Sequence, residues 1–381
     1  MPQDIVLEIP FPARINPHTE AVLVRHMEWL KAAGFLSSDE NIERYLTWRL
    51  VELAGRFYPD ALEDDLVLGA QGQAFFFFFD DLFDSHLGES PAAAYRICYE
   101  MAALARQSPD STWIKPSFPL ARLWLDHWCR AQEGMSAAWR ERAARHWEDF
   151  FLSYVTEAAN RKSGALLGTD QYLKLRRLAI ATEGVLDTAE RCGRFEAPPE
   201  IHQSMSILEI RDITAEVVVL ANDLHSLEKD QVNGELNNAI LLLRSERSYS
   251  QDEAVREVRD MVHKRIARFQ QLGHEIYRLC DDFALSAEQR AGTRRFLEVN
   301  RACMRGNYDW GRTTDRYSKV GIQHVKRSPR IEDTVAHTTE RRPENIRLHT
   351  RQVAPAAVGS NPRSRGSRVG GNSVSGAKPT G

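Results

Sequence analysis

Long apolar runs, paired cysteines and an excess of one charge are all missing from this chain, and each absence removes a class of protein. The longest apolar stretches, Ala74 to Phe79 and Val217 to Ala221, fall far short of the roughly 20 residues that span a bilayer, so no stable membrane insertion is expected. Cys98, Cys129, Cys192, Cys280 and Cys303 lie far apart, odd in number and without a C-x-x-C spacing, which argues against a zinc ribbon or a dithiol redox centre. They read as buried thiols in a reducing compartment. The opening residues carry Asp4 and Glu8 and break at Pro10 and Pro12, leaving no apolar stretch for a signal peptide, so the expected location is the cytoplasm. A net charge of only -3 excludes the polycation of a dedicated nucleic-acid binder.

What the chain does have is helical periodicity. From Pro17 to about Arg312, apolar residues recur near a period of 3.6, alternating β-type runs are few, and the breaks fall at Gly or Pro, so an all-α fold is expected. The clearest case opens at Ser136, an N-cap, and continues from Ala137 to Arg161 with Trp139, Ala143, Trp147, Phe150, Phe151 and Tyr154 on one stripe that reads as core. Further helices are expected over His18–Ala33, Asp39–Arg56, Asp65–Asp84, Ala92–Arg106, Asp170–Cys192, Pro199–Lys229, Gln251–Cys280 and Ala287–Tyr308. With 43% hydrophobic residues the chain can bury one large core, placed here over residues 1–318. Residues 319–381 contain no aromatic side chain and are rich in Pro, Gly, Ser and Arg, a composition that predicts a disordered tail. Between Gly321 and Gly381 the net charge is +7, which leaves -10 on the other 320 residues. A solvated appendage is the preferred reading of that tail over an arm for anionic surfaces.

The run Phe75, Phe76, Phe77, Phe78, Phe79, Asp80, Asp81, Leu82, Phe83, Asp84 is the most unusual local sequence. On a helix Asp80 and Asp84 share a face one turn apart, and two carboxylates so placed repel unless a cation neutralises them. Magnesium takes oxygen ligands, and commonly one or two carboxylates plus substrate phosphate, so the cluster suits it. The plainer alternative is a helix end with a solvated acidic patch. Five consecutive aromatics, however, wrap right round a helix and require burial beside the acids. Aromatic faces in such a water-poor cavity can stabilise a carbocation by up to about 2 kcal/mol each.

Downstream, Asn222, Ser226 and Asp230 fall at i, i+4 and i+8 behind an apolar run, a column of amide, hydroxyl and carboxylate oxygens able to chelate one magnesium ion, with Lys229 beside them and a helix end near Gly234. Paired with the DDLFD cluster, this column resembles the two metal-binding motifs of the class I terpene synthases, which face each other across the mouth of a helical bundle and hold three magnesium ions against a substrate diphosphate. The resemblance covers residues 1–318. It is also carried by Met1 to Asp4, Phe57-Tyr58-Pro59, Ser226 to Lys229 and Tyr308-Asp309-Trp310, and is nearest to the pentalenene synthase-like group of bacterial sesquiterpene cyclases. Arg176, 46 positions before Asn222, is similar to the family's diphosphate-sensing arginine, and Arg316-Tyr317 to its C-terminal RY pair. One departure is Asp230, where the family carries glutamate.

The resemblance implies Asp80, Asp84, Asn222, Ser226 and Asp230 as metal ligands for three Mg2+ ions, and Arg176, Lys229, Arg316 and Tyr317 as diphosphate ligands. Phe76, Phe77 and Trp310 are the expected cavity walls, and a helix break near Ala179 to Thr182 offers a backbone carbonyl to the cation. The implied reaction ionises a prenyl diphosphate, farnesyl diphosphate first and geranylgeranyl diphosphate as the alternative, and cyclises the cation. A chain-elongating prenyltransferase normally carries a second aspartate-rich motif, which neither Asp64-Asp65 nor Asp281-Asp282 supplies. The rival of another class is a non-catalytic helical interaction protein. Among protein partners the reading admits only a second copy of the chain, in a homodimer.

Overall fold

A computed structural model describes residues 5–318 except 37, 85, 108–113 and 236. The expected disorder of residues 319–381 and the likeness at Met1 to Asp4 lie outside the described residues. All regular structure among the described residues is helical. At the centre runs Glu63–Phe83, packed against Thr19–Ala32, Leu50–Phe57, Pro119–Ala131 and Thr182–Gly193. It is buried nearly all round because its sequence is: Phe75, Phe76, Phe78 and Phe79 are core, and only Phe77 is part-exposed. Phe75 and Phe79 sink into a cluster with Phe151 on the Ala137–Ser163 helix, while Phe78 packs on Phe35, Tyr45 and Trp48. Most of the phenylalanine run is therefore ordinary core, and two rings remain for the site.

Met205–Asn233 forms the facing wall, backed by Ala287–Thr313 and Gln251–Asp282. Its ends follow the sequence signals. The Ser204 hydroxyl accepts from the Ile207 amide, and Gly234 takes the left-handed φ of 71° that ends the helix. Ser136 caps Ala137–Ser163 in the same way, accepting from the Trp139 amide at 3.1 Å. Four of the five cysteines are buried and all five are free.

The structure corrects several helix expectations. Asp39–Arg56 is two helices, Asp39–Thr47 and Leu50–Phe57, because Arg49 adopts a left-handed φ of 54° and the Trp48 carbonyl turns to accept from Trp310 Nε1 at 2.9 Å and Thr314 Oγ1 at 3.2 Å. Pro199–Lys229 is divided at Gln203–Ser204 into a single turn, Pro199–His202, and the long wall helix. Asp170–Cys192 does break where expected, near Ala179 to Thr182, into Thr169–Ala179 and Thr182–Gly193, with Ala181 at φ 62°. The last helix continues past Tyr308 to Thr313. Pro119–Ala131 and Ala239–Arg247 were not anticipated, although proline at the first position and the Leu120, Leu123, Trp124, His127 spacing mark the former.

The leader before Thr19 is tied down. Leu7, Ile9 and Phe11 are buried, the Leu7 amide donates to Tyr308 Oη at 3.1 Å, and Arg305 Nη1 donates to the carbonyls of Ile9 and Phe11. Nearby, Gly311 lies flush against the His225 ring, which stacks on Tyr308 and Tyr317, and a Cβ there would collide with the imidazole. Gly311→Ala is accordingly expected to lower unfolding free energy by about 1–3 kcal/mol through overpacking, read by urea denaturation.

Candidate active site

The central helix and the wall helix meet at a cavity of about 890 Å³, counting its open mouth. Asp80, Asp81 and Asp84 stand at the C-terminal end of Glu63–Phe83, with carboxylate oxygens within 4.8 Å of one another. The three are held differently. Asp81 is turned inward to Arg316 Nη2 at 2.9 Å and Arg44 Nη2 at 3.7 Å. Asp80 accepts from Tyr154 Oη at 3.2 Å, and Asp84 lies 3.8 Å from Lys229 Nζ. Burial raises the Asp84 carboxyl to about 6, against the pull of Lys229 and with the help of Asp80 and Asp81. Part of this side chain still reaches solvent at the mouth. Crowded carboxylates with a proton affinity raised this way fit a divalent cation.

Across the mouth, Asn222, Ser226 and Asp230 line the same cavity from one helix face. Asn222 Nδ2 donates to Tyr317 Oη at 2.8 Å, and Ser226 Oγ donates to Asp230 Oδ2 at 2.6 Å. Asn238 Nδ2 also donates to that oxygen at 3.0 Å, which orients the shorter aspartate. An amide, a hydroxyl and a carboxylate pre-arranged in a column give a second oxygen set for a hard cation.

Four cations ring the opening: Arg161, Arg176, Lys229 and Arg316. Arg176 is 3.7 Å from Glu157, and its Nε has no hydrogen-bond partner among the described residues. Such a group is free to donate to a phosphate oxygen. The Arg316 guanidinium is sandwiched between Trp48 at 4.8 Å and Phe77 at 4.9 Å. Phe76 and Phe77 form the apolar floor with Phe150, and the break at Ile180–Ala181 opens onto it.

Of the residues singled out in the sequence, Phe76, Phe77, Asp80, Asp84, Arg176, Asn222, Ser226, Lys229, Asp230, Arg316 and Tyr317 all face this one cavity. Trp310 does not. Its indole is fully buried, donates to the Trp48 carbonyl and packs edge-on behind Phe77 and Tyr317. It therefore supports the wall from behind, as the helix break at Trp48–Arg49 requires.

Sequence reasoning missed Tyr154, Glu157 and Arg161, which continue the Trp147, Phe150 stripe of Ala137–Ser163 into the mouth. It also missed Asp223, buried under Tyr172 Oη at 2.9 Å and the Ala239 amide at 2.9 Å, whose carboxyl is pushed up to about 7 by burial against the pull of Arg176. No described helix is long and apolar enough to cross a membrane.

Comparison with known proteins places this geometry in context. Residues 73–268 match the family described as terpene synthase family 2, C-terminal metal binding. The chain is 37% identical over 341 residues to a (-)-beta-caryophyllene synthase ((2E,6E)-farnesyl diphosphate cyclizing) of Saccharothrix espanaensis, covering 88% of this chain and 95% of that protein. It is 35% identical to a pentalenene synthase of Streptomyces avermitilis, covering 84% and 94%. Among solved structures, germacradien-4-ol synthase from Streptomyces citricolor superposes with a TM-score of 0.73 at 32% identity, covering 82% of this chain and 99% of that one.

Proposed function

This chain belongs to the class I terpene synthases, metal-dependent terpene cyclases acting as carbon-oxygen lyases on phosphates, and on that premise we propose that it cyclises farnesyl diphosphate to a sesquiterpene with magnesium as its cofactor. The observation that carries the reading is one cavity in which two oxygen-bearing motifs and four cations converge above an aromatic floor.

Asp80 and Asp84 on one wall, and Asn222, Ser226 and Asp230 on the other, would hold the ions, three in number by the family's pattern. Bound there, magnesium would withdraw charge from the departing diphosphate and so ease carbon-oxygen cleavage. Arg176, Lys229 and Arg316 supply charge-assisted hydrogen bonds to the same leaving group, and the Tyr317 phenol adds one more. Fixed donors of this kind stabilise developing negative charge without reorganising at the moment of reaction. Phe76 and Phe77 present ring faces to the positive carbon left behind, and a carbonyl at the Ala179–Thr182 break steers it. No side chain of the floor is assigned as the final base; diphosphate or a trapped water takes the proton.

Purified protein incubated with magnesium and either farnesyl or geranylgeranyl diphosphate, with mass spectrometry of a hexane extract, is expected to give a C15 hydrocarbon or alcohol from the first. Production of C20 rings alone would select the diterpene reading instead. Residues 1–318 are proposed as the catalytic unit, so truncation after Ser318 is expected to keep at least about half of the turnover, whereas an interaction protein armed with its tail would lose its activity.

A further inference from the structure

Behind the floor of the reaction cavity lies a second hollow of about 580 Å³, counting its open mouth, between the Ala137–Ser163 helix and the broken pair Thr169–Ala179 and Thr182–Gly193. Phe76, Phe150 and Ala181 line both hollows, so these three residues are the partition between them. Within it, the Phe76 ring is held on two sides. It stacks on Trp147 at 4.8 Å and 15°, and its far edge rests on Gly184, where an added Cβ would come within 2.9 Å of Cζ. Glycine at 184 thus seats the ring deep and leaves the hollow behind it open.

The hollow joins apolar walls to a polar rim. Its rim carries His146 and Glu183, part-exposed, and Asp149, exposed, with Leu178 41% exposed at the outer edge. His146 Nδ1 shares a 2.5 Å hydrogen bond with Asp187, and Nε2 lies 3.7 Å from Glu183. A space of this size with polar partners has room for several waters, each occupying about 30 Å³. Phe76, Phe150 and Ala181 are what separates such waters from a cavity whose chemistry depends on excluding them.

We propose that this hollow is a solvent port into the reaction cavity, closed by Phe76, through which one water captures the terpenyl cation to give an alcohol alongside the hydrocarbon. The water oxygen forms the new carbon-oxygen bond. One O–H bond of the resulting oxonium then breaks, and its proton passes to a second water in the port and out past His146 to solvent. Nothing is oxidised or reduced.

The inference rests on the cyclase reading, and the two fail separately. In water enriched in 18O, any C15 product from farnesyl diphosphate and magnesium upholds the cyclase reading, and the share of product bearing labelled oxygen reports the port. Phe76→Leu is expected to raise that share about fivefold over wild type by thinning the partition, with Phe76→Met used if the leucine variant does not fold. Adding Leu178→Trp, which fills the outer edge without touching the reaction cavity, is expected to reverse at least about half of that rise while total turnover holds. A labelled share unmoved by Phe76→Leu, or equal with and without Leu178→Trp, would overturn the port.

Discussion

Asp80→Ala is expected to cut kcat/KM by at least about a hundredfold, the scale lost when one preorganised stabiliser of developing charge is removed. The aspartate is placed for this alone. Unlike Asp81, which is tied to two arginines, Asp80 makes one hydrogen bond among the described residues, to Tyr154, and keeps an open face toward the mouth. Asn222→Ala should do the same from the opposite wall. Activity alone would not separate a lost ligand from a damaged fold, so the check is thermal unfolding with and without magnesium and inorganic pyrophosphate. Wild type should gain stability from the pair, since a ligand bound only by the folded state stabilises it. Asp80→Ala should keep the unliganded midpoint and lose most of that gain. A variant that still responds fully to magnesium and pyrophosphate would remove Asp80 from the ligand set.

Arg316→Met should act on stability and turnover together. Its guanidinium is 5% exposed, bonds Asp81 at 2.9 Å, lies 3.7 Å from Asp80 and fills the slot between Trp48 and Phe77. Methionine keeps much of the packing but strands the Asp81 carboxylate with Arg44 at 3.7 Å as its remaining counter-ion. Breaking a buried pair on one side costs about 3–5 kcal/mol. The expected result is a loss near the lower figure, because Arg44 remains, together with a fall in kcat of at least about a hundredfold from the missing diphosphate donor. Asp81→Asn separates the two: it should lower stability similarly while leaving turnover within about tenfold, since it frees Arg316 rather than removing it. Urea unfolding and steady-state kinetics on the pair of variants decide the matter.

The site was legible wherever chemistry and helical spacing coincide. Asp80 with Asp84, and Asn222 with Ser226 and Asp230, declare a shared face by being four apart, and an apolar run beside polar residues marks the face as inward. Arg176 and Arg316 could be picked only by likeness to a family, since a lone arginine has no period. What the sequence concealed is pairing at long range. Arg316 and Asp81 are 235 residues apart, and nothing local to either announces the other. Glu157 and Arg161 were overlooked because they prolong a stripe already assigned to core, though a polar residue on a buried stripe is itself a sign that the stripe has reached a cavity. The break at Trp48–Arg49 escaped for a similar reason: its cause is the Trp48 carbonyl bonding to Trp310, 262 residues on, and not a local glycine or proline.

The Leu7 amide on Tyr308, and the Ile9 and Phe11 carbonyls on Arg305, bind the front of the chain to its last long helix like the clasp of a belt. Anyone trimming the gene for expression ahead of Pro12 would unfasten it, baring a phenol and a guanidinium on a surface shaped to receive a peptide. A trimmed recombinant product would also bare the apolar ground that Leu7, Ile9 and Phe11 cover, and would then be prone to clumping.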